Sequence, residues 1–118
     1  AGQYKGIVVG TGNKVEDYGV GFYTKYGDGG VDIAPIADLY KSEVWDLGKS
    51  LGVDSRIIEA KPTDGLWDDG RTDEDQLGAT YSELEEAMET GKGTGLKVLE
   101  EYARMNAHKM NPIPTFTL

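Results

Sequence analysis

The run Ile7-Val8-Val9, closed by Gly10, places the tightest constraint on what this chain can fold into. Three consecutive β-branched apolar residues, with no polar residue between them, predict a short strand buried on both faces. That is the habit of an inner strand in a parallel sheet. Such a strand needs neighbours beside it and helices above and below. The chain offers little to pair with it beyond a short extended stretch, Val31 to Pro35. The sequence therefore reads as part of a larger α/β sheet, mostly helical after its first strand, and not as a self-contained sheet.

Helical signals dominate the remainder. The turn Gly10-Thr11-Gly12-Asn13 leads into a predicted helix from about Lys14. A second helix is expected with Asp38 as its cap and with Tyr40, Val44, Leu47 and Leu51 along one face; Gly52 is placed to close it. Ser55 to Ala60 forms a further short helix. Thr80-Tyr81-Ser82-Glu83 has the form of a capping box, opening a helix that ends near Gly91. A last helix, from about Gly95 to Lys109, is expected to bury Leu96, Leu99 and Ala103. Between them, Lys61 to Leu77 shows no periodicity and has six acids between Asp64 and Asp75. That stretch is expected to stay without fixed structure in the absence of ligand. No repeat or linker marks a second domain in 118 residues.

Composition excludes several classes. A net charge of −9 argues against general binding to nucleic acid or an anionic membrane. No apolar run approaches the roughly 18 residues of a membrane span. The absence of cysteine removes disulfides and thiolate metal sites, and fits a cytoplasmic setting. The acids concentrate after Glu59, whereas Lys5, Lys14, Lys25, Lys41 and Lys49 lie earlier, so an anionic ligand is expected near the first part.

Single motifs carry little. Gly10-Thr11-Gly12 after a strand suggests a dinucleotide loop, but Val15 stands where the third glycine belongs. The Asp-Gly clusters around Gly30 and Gly70 fail the calcium-loop spacing, and no catalytic triad or zinc-ligand cluster is present. Lys41 and Ser42 fall in the first turn of the second helix, where amide groups favour an anion and a lysine needs one. His108-Lys109 sits at the end of the last helix, where cations offset the dipole.

Taken together, GTGNKVEDYGVGFYTKYGDGGVDIAPIADLYKSEV and KPTDGLWDDGRTDEDQLGATYSELEE resemble the C-terminal half of ammonia-dependent NAD synthetases. The likeness covers nearly the whole chain. It implies residues 1–118 of a single synthetase domain with the doubly wound parallel-sheet fold of adenine-nucleotide α-hydrolases, acting as a homodimer with ATP and Mg²⁺. The implied reaction has two steps. The nicotinate carboxylate of deamido-NAD attacks the α-phosphorus of ATP, releasing pyrophosphate and leaving an acyl-adenylate. Ammonia then attacks the acyl carbon, giving NAD and AMP. Such chemistry asks the protein to position anionic ligands and offset charge, not to supply a nucleophile.

By position, the resemblance assigns Thr11, Lys41 and Thr63 to ATP, and Lys25, Asp32, His108 and Lys109 to deamido-NAD, the last two across the dimer. Glu16 matches a Mg²⁺ carboxylate. The interval from Glu16 to Lys25 is one residue longer than in many relatives, which leaves the adjacent Asp17 as an alternative ligand. The family's SGGxDS pyrophosphate loop is not among these residues. The expectation is therefore a chain that supplies part of the ATP and deamido-NAD sites and works with an N-terminal half. The alternative is a non-catalytic dinucleotide-binding or regulatory fragment of the same family.

Overall fold

The computed structural model describes residues 1–118. A 3₁₀ turn over Gly2–Tyr4 and a π-helix over Lys14–Val20 precede five α-helices: α1 Lys41–Ser50, α2 Ser55–Ile58, α3 Asp73–Leu77, α4 Tyr81–Thr90 and α5 Leu96–Met110. The strand foreseen over Ile7 to Val9 is reduced to one parallel bridge between Val9 and Ile33. Nor is it buried: Ile7, Val8 and Val9 are 61%, 42% and 53% exposed. The residues have the composition of an inner strand, but these 118 residues provide neither the neighbouring strands nor the covering helices that would bury it.

The core lies elsewhere, where the π-helix packs on α4 and α5. Asn13, 1% exposed, starts the π-helix by accepting from the amides of Val15 and Glu16. Gly21 ends it in the left-handed region at φ 67°, and a Cβ there would lie 2.5 Å from Cβ of Asn106 on α5. Between those ends the π-helix buries Val15 and Val20 completely, against Leu77, Ala79, Tyr81 and Leu84. On α5, Leu96 and Leu99 turn partly inward as expected. Ala103 does not; it is exposed, and Val98 and Tyr102 join Leu99 in packing on the core.

This core is thin. Thirteen of 118 residues are buried, and the radius of gyration is 15.8 Å, against roughly 13.5 Å for a compact domain of this length. Apolar side chains accordingly remain outside: the expected inner face of α1 continues into Leu47 and Leu51, which are 41% and 72% exposed. The start of α1 also differs from expectation. Asp38 does not cap it but pairs with Lys14 at 3.2 Å, while Tyr40 is the cap residue and its amide donates to the Glu43 carboxylate. Leu51 takes the C-terminal cap position, one residue before Gly52.

The Lys61 to Leu77 stretch, expected to be irregular, has its second part in α3, opened by Thr72 and Asp75 as a reciprocal cap. Its first part is closed at the base: the Asp73 amide donates to the carbonyl of Pro62, and Thr63 Oγ1 donates to the carbonyl of Arg71. A short-range cap signal, Thr-x-x-Asp, was present in a segment that hydrophobic periodicity could not resolve.

The Thr80–Glu83 capping box of α4 forms as expected: Thr80 accepts from the Glu83 amide and Glu83 accepts from the Thr80 amide. Those bonds, with one from Thr94, hold the Glu83 carboxyl below its ordinary value of 4.5. A carboxyl with a lowered folded value adds stability above its unfolded value and loses it as pH falls through the folded one. Glu83→Gln is thus expected to narrow the difference in melting temperature between pH 7 and pH 3, and an unchanged difference would count against this cap. Leu84→Ala is expected to cost about 3 kcal/mol and Thr80→Ala about 1 kcal/mol in urea unfolding. Gly21→Ala, which must adopt positive φ against Asn106, is expected to lose more than about 1 kcal/mol by the same measurement.

Candidate functional site

The residues singled out by resemblance fall into two constellations and three separate positions. The first constellation joins the π-helix, α1, α3 and α4. Glu16 projects from the π-helix toward Lys41, the first residue of α1, and their charged groups meet at 2.8 Å with side chains only 16% and 18% exposed. Tyr81, the first residue of α4, donates its hydroxyl to the same Glu16 oxygen, Oε1, at 2.5 Å. The Tyr81 hydroxyl also lies 3.1 Å from Oδ2 of Asp73, the first residue of α3. Its ring lies under the Lys41 ammonium, 5.1 Å from Nζ to the centroid, and meets Trp45 edge to face.

The electrostatics of this group follow from burial beside charge. Burial, then the bond to Glu16, pushes the Tyr81 phenol above its ordinary range, so it stays a protonated donor. Burial likewise raises Asp73, with Glu16 adding to the rise and Tyr81 and Lys41 opposing it. Asp17, next to Glu16, faces the other way. Its carboxylate occupies the space beside Gly12, where an added Cβ would clash with it. Burial, then the Glu16 charge, pushes Asp17 up to about 6.

The second constellation is the C-terminal cleft, of about 490 Å³, lined by Tyr23, Lys25, Tyr26, His108, Lys109 and Ile113 among others. Here both lysines are engaged by backbone. Lys25 donates to the carbonyls of His108 and Asn111, where α5 leaves its last acceptors unpaired. Lys109 donates to the carbonyl of Gly21 at 2.7 Å and lies over the Tyr23 ring. His108 Nδ1 stands 3.2 Å from the carbonyl of Met105.

Thr11, Asp32 and Thr63 lie apart from both groups. Thr11 is exposed. Asp32 accepts from the amide of Val8 at 2.7 Å beside the single parallel bridge. Thr63 accepts from the amide of Gly65 and closes its loop onto Arg71. The C-terminal cleft that Lys25 lines includes neither Thr11 nor Lys41.

Three contacts were not read from the sequence. Tyr81 and Asp73 had appeared only as a helix-start residue and one acid among six. The third is Glu85, whose carboxylate accepts from the amide and hydroxyl of Ser42 at 3.0 and 2.7 Å. The anion expected at the start of α1 is thereby supplied by α4, at Ser42, the residue after Lys41.

The chemistry of the donor set bears on Mg²⁺. No three acids or histidines converge as a ready-made metal cluster. Both protein contacts of Glu16 fall on Oε1, which leaves Oε2 open. Asp73 Oδ1 is buried without any partner. The open Glu16 oxygen is a hard donor of the kind Mg²⁺ accepts, and Mg²⁺ commonly takes one or two carboxylates and completes its shell with water and phosphate. The residues fit a partial site centred on Glu16.

The close Glu16–Lys41 pair gives a stability prediction. Glu16→Gln and Lys41→Met should each cost roughly 1–3 kcal/mol, because each leaves a largely buried partner unpaired. The double variant should cost less than the sum, since the two changes remove one shared interaction. Strict additivity in urea unfolding would show that the pair contributes no coupling.

Residues 1–114 match the family model described as NAD synthase. The chain is 49% identical over 107 residues to the NH(3)-dependent NAD(+) synthetase of Archaeoglobus fulgidus, covering 91% of this chain and 39% of that protein. It is 46% identical over 112 residues to that of Alkaliphilus oremlandii, covering 92% and 44%. A solved structure of NMN synthetase from Francisella tularensis matches all of this chain and 50% of its own, with a TM-score of 0.86 and 40% identity. The chain thus spans half or less of the length of these relatives. With nearly its full length matched by the family model, this chain belongs to the NAD synthase family.

Proposed function

We propose that this chain is the C-terminal portion of an ammonia-dependent NAD synthetase domain, residues 1–118, and supplies part of its ATP and deamido-NAD sites. The observation that carries the reading is the inward pairing of Glu16 with Lys41 at the junction of the π-helix and α1. A hard oxygen and an ammonium held within hydrogen-bond distance suit a magnesium polyphosphate, whose metal and phosphate they would share. In this reading Lys41, Thr11 and Thr63 contact ATP and Glu16 holds Mg²⁺, whose role when bound is to offset polyphosphate charge. Lys25, His108 and Lys109 bind deamido-NAD from the C-terminal cleft, and Asp32 does so beside the parallel bridge.

The proposed chemistry joins two anionic substrates and then ammonia. The deamido-NAD carboxylate displaces pyrophosphate from ATP, and ammonia displaces AMP from the resulting acyl group. The residues here bind and orient. The cations Lys25, Lys41 and Lys109 offset phosphate charge, and the aromatic walls of the cleft, Tyr23 and Tyr26, offer flat faces to a base or a pyridine ring. The remaining strands of the doubly wound sheet, with the pyrophosphate loop, come from sequence outside these residues. We place the working enzyme as a cytoplasmic homodimer. The structure itself holds no helix long and apolar enough to cross a membrane.

A second reading has a specific observation behind it. The Francisella structure that matches the entire chain is of an NMN synthetase, so the acid substrate could be a mononucleotide instead of a dinucleotide.

The test supplies in trans the part of the Archaeoglobus relative that this chain does not cover, then assays ATP- and ammonia-dependent amidation of deamido-NAD and of nicotinic acid mononucleotide. NAD formation that falls at least about tenfold with Lys41→Ala is the expected result. Product from the mononucleotide alone would favour the second reading. No product, from halves shown to be folded, would overturn both. Calorimetry with deamido-NAD on the chain alone separates the remaining alternative, since a stand-alone binding module would bind it measurably without the other half.

A further inference from the structure

The first constellation contains more groups than a simple ion pair needs. Tyr81 and Asp73 come from two different helices, α4 and α3, and both are almost fully buried at 2% and 7% exposure. Their polar atoms converge on Glu16, directly for Tyr81 and through Tyr81 for Asp73. Trp45 meets the Tyr81 ring edge to face, a contact that phenylalanine would keep, so packing there does not require the hydroxyl.

We propose that Tyr81 and Asp73 are positioning residues for Glu16, holding its carboxylate with Oε1 turned inward and Oε2 presented to a divalent cation. The proposal rests on the reading of Glu16 as a metal ligand. Lys41 alone cannot fix that orientation, because an ammonium on a flexible stem is satisfied by either carboxylate oxygen. A buried phenol is different. Its ring is held by Trp45 and its oxygen sits where the helix start places it, so the carboxylate must turn Oε1 to meet it. Hydrogen-bonded partners behind a ligating carboxylate commonly orient it and sharpen metal affinity.

Proton counting gives Asp73 its part. A phenol carries one proton, yet Tyr81 stands between two carboxyl oxygens, at 2.5 Å from Glu16 and 3.1 Å from Asp73. The shorter contact takes the phenolic proton. The longer one is attractive only if Asp73 brings a proton of its own and donates it to the phenol oxygen. Its other oxygen, Oδ1, has no partner, as suits a buried carboxylic acid better than a buried carboxylate. The chain of bonds then runs from Asp73 to Tyr81 to Glu16, with Lys41 at its end, and each donor has one acceptor. Burial raises the Asp73 carboxyl in the direction this arrangement requires.

The measurement is Mn²⁺ titration of the 118-residue chain followed by NMR, with paramagnetic broadening locating the ion and its concentration dependence giving the affinity. Broadening centred on Glu16 is expected, and Glu16→Gln should abolish it. Tyr81→Phe keeps the ring against Trp45 and removes only the hydroxyl; affinity at that site should fall roughly tenfold or more. Asp73→Leu should weaken it similarly, whereas Asp73→Asn, whose amide can still donate to the phenol oxygen, should stay within about twofold of the parent. A purely structural role predicts a different pattern, with melting temperature falling and Mn²⁺ affinity unmoved.

The outcomes separate the two ideas. Absence of Mn²⁺ at Glu16, or unchanged binding in Glu16→Gln, overturns the metal reading and this proposal with it. Loss in Glu16→Gln but not in Tyr81→Phe overturns the positioning role alone. An Asp73→Asn variant as weak as Asp73→Leu overturns the donor role of Asp73. Should Tyr81→Phe not fold, the Asp73 pair reads the same contact from its other side.

Discussion

The buried side chain of Asn13 is the contact on which the rest of the structure depends. Its amide oxygen accepts from two successive backbone donors, those of Val15 and Glu16, at the point where the chain leaves the Gly10-Thr11-Gly12 turn. That fixes the first turn of the π-helix. The π-helix then sends Val15 and Val20 into the core and Glu16 toward Lys41. Core and candidate site are therefore set by one short segment. A shift in its winding would move the apolar residues and the carboxylate together.

A π-helix suits that double duty. Its wider turn rotates side chains relative to an α-helix, so adjacent residues can serve unlike surroundings. Glu16 meets the Lys41 ammonium and a phenol on one side, while Asp17 is pressed beside Gly12 on another. The two neighbouring acids were close alternatives as metal ligands from spacing alone. Their surroundings differ sharply: Glu16 has one oxygen bound by Lys41 and Tyr81 and the other free of protein donors, and Asp17 is held half-buried next to a like charge.

Much of the helical layout could be read in advance because its signals are local. The Thr80–Glu83 box marks the start of α4, and α5 runs from Leu96 to Met110 against an expected Gly95 to Lys109. What resisted prediction depended on distant partners. Asp38 has the right chemistry for a cap, but it pairs with Lys14, and Tyr40 takes the cap position. Ile7, Val8 and Val9 carry the composition of a buried strand, yet their burial depends on elements these residues do not include. Tyr81 and Asp73 were invisible for the same reason: 65 residues separate Tyr81 from Glu16, and no local pattern announces that contact. The resemblance named Glu16 and Lys41, while the group that holds them in register appeared only in three dimensions.

The engagement of Lys25 with the end of α5 carries a consequence for the C-terminal cleft. Its ammonium already satisfies the carbonyls of His108 and Asn111. An anion that draws Lys25 away must leave those acceptors to water, so occupancy of the cleft and fraying of the last helical turn are thermodynamically linked. Ile113 and Pro114, a few residues beyond that turn, form part of the cleft wall. Recognition at this end of the molecule is thus an exchange of partners, in which the protein's own backbone competes with the ligand for the same cation.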